Sequence, residues 1–190
     1  MFELKYHTPP EWAQVVLSDF DAFLIDHAAA EKKASGMAMS LISHYPNRKN
    51  LVRAMADLAI EELIHFKQVL KLIQTRDIEL GPDSKDQYIH QIRAAFRKGS
   101  DVFFMDRLIV AAVIEARGYE RFSLVGEALP AGKDKDLYST IAKSEEKHKN
   151  LFIELAHEYF DKEDVNQRLD EILDLEAEIC RKLPFRAALH

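Results

Sequence analysis

Cysteine is almost absent from this chain. Cys180 stands alone among 190 residues, which excludes an intramolecular disulfide and suits a reducing, cytoplasmic compartment. Glycine and proline are scarce, six of each, and a turn-rich β fold needs more of both. Long apolar runs are missing too. The longest, Leu108 to Ile114, has seven residues, far below the roughly 20 that a bilayer-spanning helix requires. The opening Met1-Phe2-Glu3-Leu4-Lys5 lacks the apolar stretch of a secretion signal, so the expectation is a cytoplasmic protein with no membrane attachment. Excess positive charge is lacking as well: a net charge of −6 excludes indiscriminate nucleic-acid binding and leaves room only for a local basic patch. What is present, 47% apolar and 31% charged residues, is the composition of a folded chain that fills one domain over 1–190 with a sizeable core.

The few prolines and glycines fall where helices should end. Thr8-Pro9-Pro10-Glu11 reads as a capping Thr, Pro at the first helical position and Glu three residues after the cap. Pro46, Gly81-Pro82, Gly99, Pro130, Gly132 and Pro184 mark further breaks. Between them the pattern predicts a short helix over 10–18 and long helices over 19–44, 47–75, 101–128 and 134–160. It predicts shorter ones over 84–98, opened by a capping box at Ser84-Lys85-Asp86-Gln87, and over 163–182. No segment alternates with period two for long enough to make a strand. The fold class is all-α.

Residues spaced alternately four and three apart share one helix face. Such seams run through Phe20, Leu24, His27, Glu31, Ala34, Ala38 and Leu41, and through Leu51, Met55, Leu58, Glu62, His65, Val69 and Leu72. Two more run through Phe104, Leu108, Ala111, Glu115, Gly118, Phe122, Val125 and Leu129, and through Tyr138, Ile141, Glu145, His148, Phe152, Leu155 and Tyr159. Four apolar seams pack as a four-helix bundle, yet each is interrupted by a Glu, and two add a His three residues later. Taking one carboxylate out of water costs several kcal/mol, so four would rival the roughly 5–15 kcal/mol that holds a whole domain together. The seams offer no Lys or Arg to balance Glu31, Glu62, Glu115 and Glu145. Two divalent cations would, with His65 and His148 completing the coordination. This mixed carboxylate and imidazole set suits iron or manganese better than a soft-ligand metal.

The spacing repeats. Glu31 to Pro46 and Glu115 to Pro130 are both fifteen residues; Pro46 to Glu62 is sixteen and Pro130 to Glu145 fifteen. Two helix hairpins, each giving one Glu and one Glu-x-x-His and joined by a long crossover, are the ferritin-like di-iron pattern. A third Glu-x-x-His, Glu154 to His157, falls off the seam through Phe152 and Leu155 and reads as solvated. His27 has Ala111 as its counterpart in the second half, so it reads as a core histidine or a support for a ligand. Ala34 and Gly118 leave room at matching positions, for close helix packing or for dioxygen and substrate. Arg48, Lys49 and Arg53, and Arg93, Arg97 and Lys98, are two basic clusters, read either as solvated faces or as sites for RNA.

Several segments resemble the MiaE family of tRNA hydroxylases. They are Met55-Ala56-Asp57-Leu58-Ala59-Ile60-Glu61-Glu62-Leu63-Ile64-His65-Phe66, Asp106-Arg107-Leu108 and Ile114-Glu115-Ala116-Arg117-Gly118-Tyr119-Glu120-Arg121-Phe122, then Ser144-Glu145-Glu146-Lys147-His148 and Leu183-Pro184-Phe185-Arg186. The resemblance runs from about Trp12 to Arg186, and the Glu-Ala-Arg-x-x-Glu-Arg-Phe segment is its narrowest part. It implies an oxygen-dependent enzyme that hydroxylates the isopentenyl side chain of a hypermodified tRNA adenosine next to the anticodon. Glu31, Glu62, His65, Glu115, Glu145 and His148 map onto the family's six di-iron ligands. Dioxygen is the implied co-substrate, tRNA the partner, and a reductase or ferredoxin-like protein the external electron donor, since no flavin or nicotinamide motif is present. The same ligands would also serve a ferritin-like iron-oxidising or storage protein, or a di-metal peroxidase or catalase.

Overall fold

The structure is a computed structural model that describes residues 2–190. Among the described residues there are seven α-helices and no strand: α1 (Glu11–Ser18), α2 (Phe20–His44), α3 (Lys49–Thr75), α4 (Gln87–Arg93), α5 (Ser100–Ala128), α6 (Lys133–Tyr159) and α7 (Lys162–Lys182). The all-α expectation holds, and six of the seven spans begin and end within two residues of those read from the sequence. None of these helices is long and apolar enough to cross a membrane.

Two local readings need correction. Thr8 does not cap α1: its hydroxyl donates to Glu120 Oε2 at 2.7 Å and accepts from Arg117 at 3.0 Å. The predicted helix over 84–98 is confined to α4. Its cap is Asp86 rather than Ser84, with Oδ1 accepting from the Ile89 N–H at 3.1 Å. It ends early because the Arg97 backbone N–H leaves helical register to donate to Asp106 Oδ2 at 2.8 Å. The glycine breaks behave as expected. Gly99 (φ 117°) and Gly132 (φ 152°) precede α5 and α6 in backbone conformations that a side chain would strain.

The chain divides into two compact units. One, Val16–Ser84 with Ala187–Leu189, is built on the α2–α3 hairpin. Asp19 caps α2, and the turn at Pro46 reverses the chain. Phe23, Leu24, Ala28 and Leu41 on α2 and Leu51, Met55, Leu58 and Val69 on α3 are buried. The Ser35 hydroxyl donates to the Ala59 carbonyl at 2.9 Å, tying the two helices together.

The other unit comprises residues up to Val15, Lys85–Arg186 and His190. Its α5–α6 hairpin buries Phe104, Leu108, Phe122 and Val125 with Tyr138, Ile141, Phe152 and Leu155. Capped by Asp161, α7 buries Val165, Ile172 and Ala177 and packs on α5 and α4.

Candidate metal centre

In the α2–α3 hairpin, Glu31, Glu62 and His65 are buried, and each offers a donor atom within 4.8 Å of the others. His65 Nδ1 lies 3.4 Å from Glu62 Oε2 and 3.6 Å from Glu31 Oε2. The i, i+3 spacing on one helix brings the first pair together; the hairpin supplies Glu31. Burial works against charge on His65, but the Glu31 and Glu62 carboxylates outweigh it and lift the imidazole to about 9. Burial also raises Glu31, against the pull of His27 and His65. The His27 reading is borne out: it is fully buried, and its Nε2 sits 2.6 Å from Glu31 Oε1. An ionised carboxylate only accepts, so His27 donates.

The α5–α6 hairpin repeats the arrangement with Glu115, Glu145 and His148, all buried and offering donor atoms within 4.8 Å of one another. His148 Nδ1 faces Glu115 Oε2 at 3.8 Å, and its Nε2 lies 3.4 Å from the Ser144 hydroxyl. Both imidazoles thus turn Nδ1 toward carboxylates. A Cβ added at Gly118 would stand 3.3 Å from Glu145 Oε2 and 3.7 Å from its Cδ and Cγ. The space beside Gly118 is therefore filled by the Glu145 carboxylate, not left for dioxygen or substrate. Two carboxylates and one imidazole per hairpin, with no thiolate, form a donor set that fits iron or manganese.

The decoy motif stays outside. Glu154 is exposed, and His157 Nε2 meets Asn166 Oδ1 at 3.2 Å. Of the basic residues, Lys49 and Arg53 are exposed at the start of α3 and Arg48 is half-buried beside them. Arg93 is exposed with its guanidinium 5.9 Å from the Phe96 ring centroid, and Lys98 is exposed. Arg97 is committed elsewhere: its Nη2 and Nε grip the buried Asp106 at 2.7 and 3.1 Å. Arg168 holds the same carboxylate at 2.9 Å.

Sequence reasoning missed a second buried network. Arg117, two residues after Glu115, is fully buried and forks onto Glu176 of α7 through Nε–Oε1 at 2.7 Å and Nη2–Oε2 at 2.9 Å. It also donates to Thr8, to the Tyr6 carbonyl at 2.9 Å and to Glu120. Tyr88 and Cys180 donate to Glu176 Oε1 at 3.2 and 3.1 Å. Burial pushes the Cys180 thiol up to about 12, so it is no nucleophile at neutral pH. The available signal was Arg117 and Glu120 inside the narrow Glu-Ala-Arg-x-x-Glu-Arg-Phe segment.

An all-helical chain whose two hairpins each offer this carboxylate and imidazole set is a ferritin-like carboxylate protein. A solved structure, Protein 43 with aldehyde deformylating oxygenase activity from Synechococcus, matches it with a TM-score of 0.94 and 32% identity, covering 100% of this chain and 96% of that one. The family model for tRNA-(MS2IO6A)-hydroxylase (MiaE) matches residues 2–190. A tRNA 2-(methylsulfanyl)-N(6)-isopentenyladenosine(37) hydroxylase from Pseudomonas putida is 37% identical over 177 residues, covering 92% of this chain and 84% of its own. The protein of that name from Salmonella typhimurium is 32% identical over 187 residues, covering 92% and 67%. The chain belongs to the MiaE family of tRNA hydroxylases.

Proposed function

We propose that the two hairpins act as one four-helix domain over 1–190, in which Glu31, Glu62, His65, Glu115, Glu145 and His148 hold two iron ions. Membership of the family makes the chain an enzyme, a tRNA hydroxylase. The reading rests on one observation above all: each hairpin carries the same buried pair of carboxylates with one imidazole. Two divalent cations would balance four carboxylates whose burial is otherwise costly. When bound, the ions supply the chemistry that reduces dioxygen and oxidises an unactivated C–H bond.

The chain's own residues do the rest. His27 donates to Glu31 and fixes the direction of its lone pairs. Ser144 steadies the His148 ring through the nitrogen turned away from Glu115. Gly118 lets the Glu145 carboxylate lie against α5. Buried Phe, Leu and Ala side chains flanking the ligands on their helices exclude water and suit a small apolar isopentenyl group. That group belongs to a tRNA adenosine in the names of the relatives, and its base must leave the stack to reach a buried centre. Turnover needs two electrons, for which a reductase or ferredoxin-like partner is proposed, in the cytoplasm where tRNA is modified. The clusters Arg48, Lys49, Arg53 and Arg93, Arg97, Lys98 are offered as RNA contacts, Arg97 through the part of its side chain left exposed beside Asp106.

Mass spectrometry of tRNA nucleosides from a strain lacking the protein tests the reading. The hydroxylated nucleoside should disappear and its isopentenyl precursor accumulate, with rescue by the parent chain and not by Glu62→Ala. The Synechococcus likeness supplies the control. If the purified, iron-loaded protein consumes a long-chain aldehyde and leaves modified tRNA unchanged, the tRNA reading is wrong.

A further inference from the structure

The turn between α4 and α5 carries two phenyl rings that the fold leaves half-buried, Phe96 and Phe103. Their centroids stand 5.4 Å apart with the ring planes at 87°. With the Arg97–Ser100 turn they line a surface cavity of about 420 Å³. Gly99 (φ 117°) makes the reversal, and the Phe103 N–H donates to its carbonyl at 2.8 Å. The corner is fastened from behind by the buried Asp106. That carboxylate accepts from the Arg97 backbone N–H at 2.8 Å and from the Arg97 side chain at 2.7 Å. It also holds Arg168, whose Nη2 donates to the Ala95 carbonyl at 2.8 Å. The two aromatic faces are therefore kept at the surface by a fixed support. Around them, residues 93–100 carry Arg93, Arg97 and Lys98 and no carboxylate, in a chain whose net charge is −6. Arg93 and Lys98 are exposed, and 39% of the Arg97 side chain remains so beside Asp106.

We propose that the Phe96–Phe103 corner is a stacking site for one unpaired base of the tRNA anticodon loop, with Lys98 and Arg93 taking the adjoining phosphates. This rests on the tRNA-hydroxylase reading and deepens it. A planar base laid on one of two perpendicular rings turns its edge toward the face of the other, so it gains an offset stack and an edge-to-face contact together. RNA loops offer such bases, splayed out and free to stack on aromatic side chains, and their phosphates meet Lys and Arg. Two ring faces among three cations with no carboxylate match an anionic strand that carries planar bases. The occupant is not the reacting base. Phe103 precedes Glu115 by twelve residues on α5, roughly 18 Å along the helix at about 1.5 Å per residue. A neighbouring nucleotide of the same loop suits that separation, and holding it fixes how the modified adenosine is presented. Stacking accepts any base, so the corner positions the loop without reading its sequence.

The test uses the full-length protein loaded with iron and a short RNA hairpin of anticodon-loop sequence carrying the isopentenyl adenosine. Binding is followed by fluorescence anisotropy across a salt series. Phe103→Leu keeps the apolar bulk and removes the ring face. It should weaken binding by about fivefold or more and leave the slope of log affinity against log salt unchanged. Lys98→Met should instead flatten that slope by about 0.7, the loss of one single-strand phosphate contact. Metal content should stay at the parent's level in both. A second measurement needs no variant: the parent protein is titrated with hairpins in which one loop nucleotide at a time is abasic. One position besides the modified adenosine should lose affinity as Phe103→Leu does, and the Phe103→Leu protein should be indifferent to that same abasic site. A parent that binds all hairpins with abasic sites outside the modified position as tightly as the intact one overturns the stacking site and leaves the tRNA reading intact. So does a Phe103→Leu loss of the same factor on the intact hairpin and on every abasic one, the result expected of a ring needed only for folding. A parent protein with no affinity for the intact hairpin overturns both.

Discussion

The two hairpins carry the same donors and support them differently. In α2–α3, an imidazole steadies a carboxylate, His27 on Glu31 at 2.6 Å; at the corresponding place in α5–α6 stands Ala111. In α5–α6, a hydroxyl steadies an imidazole, Ser144 with His148 at 3.4 Å, where the first hairpin has Glu61. Gly118 admits the Glu145 carboxylate against the helix backbone, whereas Ala34 holds the matching place on α2. Outside the ligands, α5 is braced by the buried Arg117–Glu176 pair to α7, while α2 and α3 are tied by the modest Ser35–Ala59 hydrogen bond. The repeat is strict at the atoms that would touch metal and loose one residue further out. That is expected if coordination chemistry fixes donor type and spacing, while many arrangements can orient a donor.

The largest effect comes from the donors themselves. Glu62→Ala in one hairpin and His148→Ala in the other should each lose at least one of two irons by metal analysis. Glu154→Ala and His157→Ala, which alter the decoy motif of an exposed Glu154 and a half-buried His157, should retain both. Equal losses at ligands and decoys would break the equivalence of the hairpins as metal-binding halves.

Next in size is the brace on α5. Arg117→Met strands Glu176 in a buried site, and breaking one partner of such a pair costs about 3–5 kcal/mol. For a chain of this size that is a fall of roughly 6–20 °C in melting temperature. Ser35→Ala, removing the tie between α2 and α3, should cost only about 1 kcal/mol. Thermal melts of the two variants compare the hairpins directly. Similar losses would mean that the second hairpin does not depend on its buried ion pair.

How much of this was legible in the sequence follows the same division. Glu31, Glu62, Glu115 and Glu145 interrupt apolar seams at regular spacing, and His65 and His148 follow at i+3, so the donors were visible as violations of a helical pattern. Helix ends were visible where Pro or Gly forced them. Long-range polar partners were not. Nothing local says that Thr8 serves Arg117 and Glu120 rather than α1, because that choice is made by side chains over a hundred residues away. Arg97 looked like surface charge because its partner Asp106 sits in a helix whose buried face is defined only once Arg168 and the chain before α5 close over it.

Removing metal should expose a pH dependence rooted in the first hairpin. With no ion bound, His65 titrates near 9, above its ordinary 6.5. A raised imidazole stabilises the fold fully below about 6.5 and loses that contribution as pH rises through about 9. The chelated protein should therefore melt several degrees lower at pH 9 than at pH 6.5. The metal-bound protein should vary less, because a ligating imidazole is neutral and cannot take up the proton. A chelated protein whose melting temperature is flat across that range would show that the empty first hairpin does not hold these groups as close as 3.4–3.6 Å.

The smallest effect isolates the asymmetry itself. His27→Ala leaves all six proposed ligands in place and removes only the donor on Glu31. Loss of a hydrogen bond that orients a ligand typically weakens metal affinity about 10- to 100-fold. The second hairpin has Ala111 in that place and no such bond to lose. Titration of the metal-free variant with ferrous iron should therefore show one site weakened by that factor and the other close to the parent. His27→Gln, which keeps an N–H donor on a flexible stem, should recover part of the loss if the hydrogen bond matters, and none if ring packing against Phe23 at 6.0 Å is what counts. Introducing the missing imidazole by Ala111→His is not the mirror experiment, because Ala111 is only 5% exposed and the larger ring would overpack the α5 face before reaching Glu115. The informative result is the split between sites. If both weaken together in His27→Ala, the two halves share their support, and the division between the hairpins holds only for the unloaded chain.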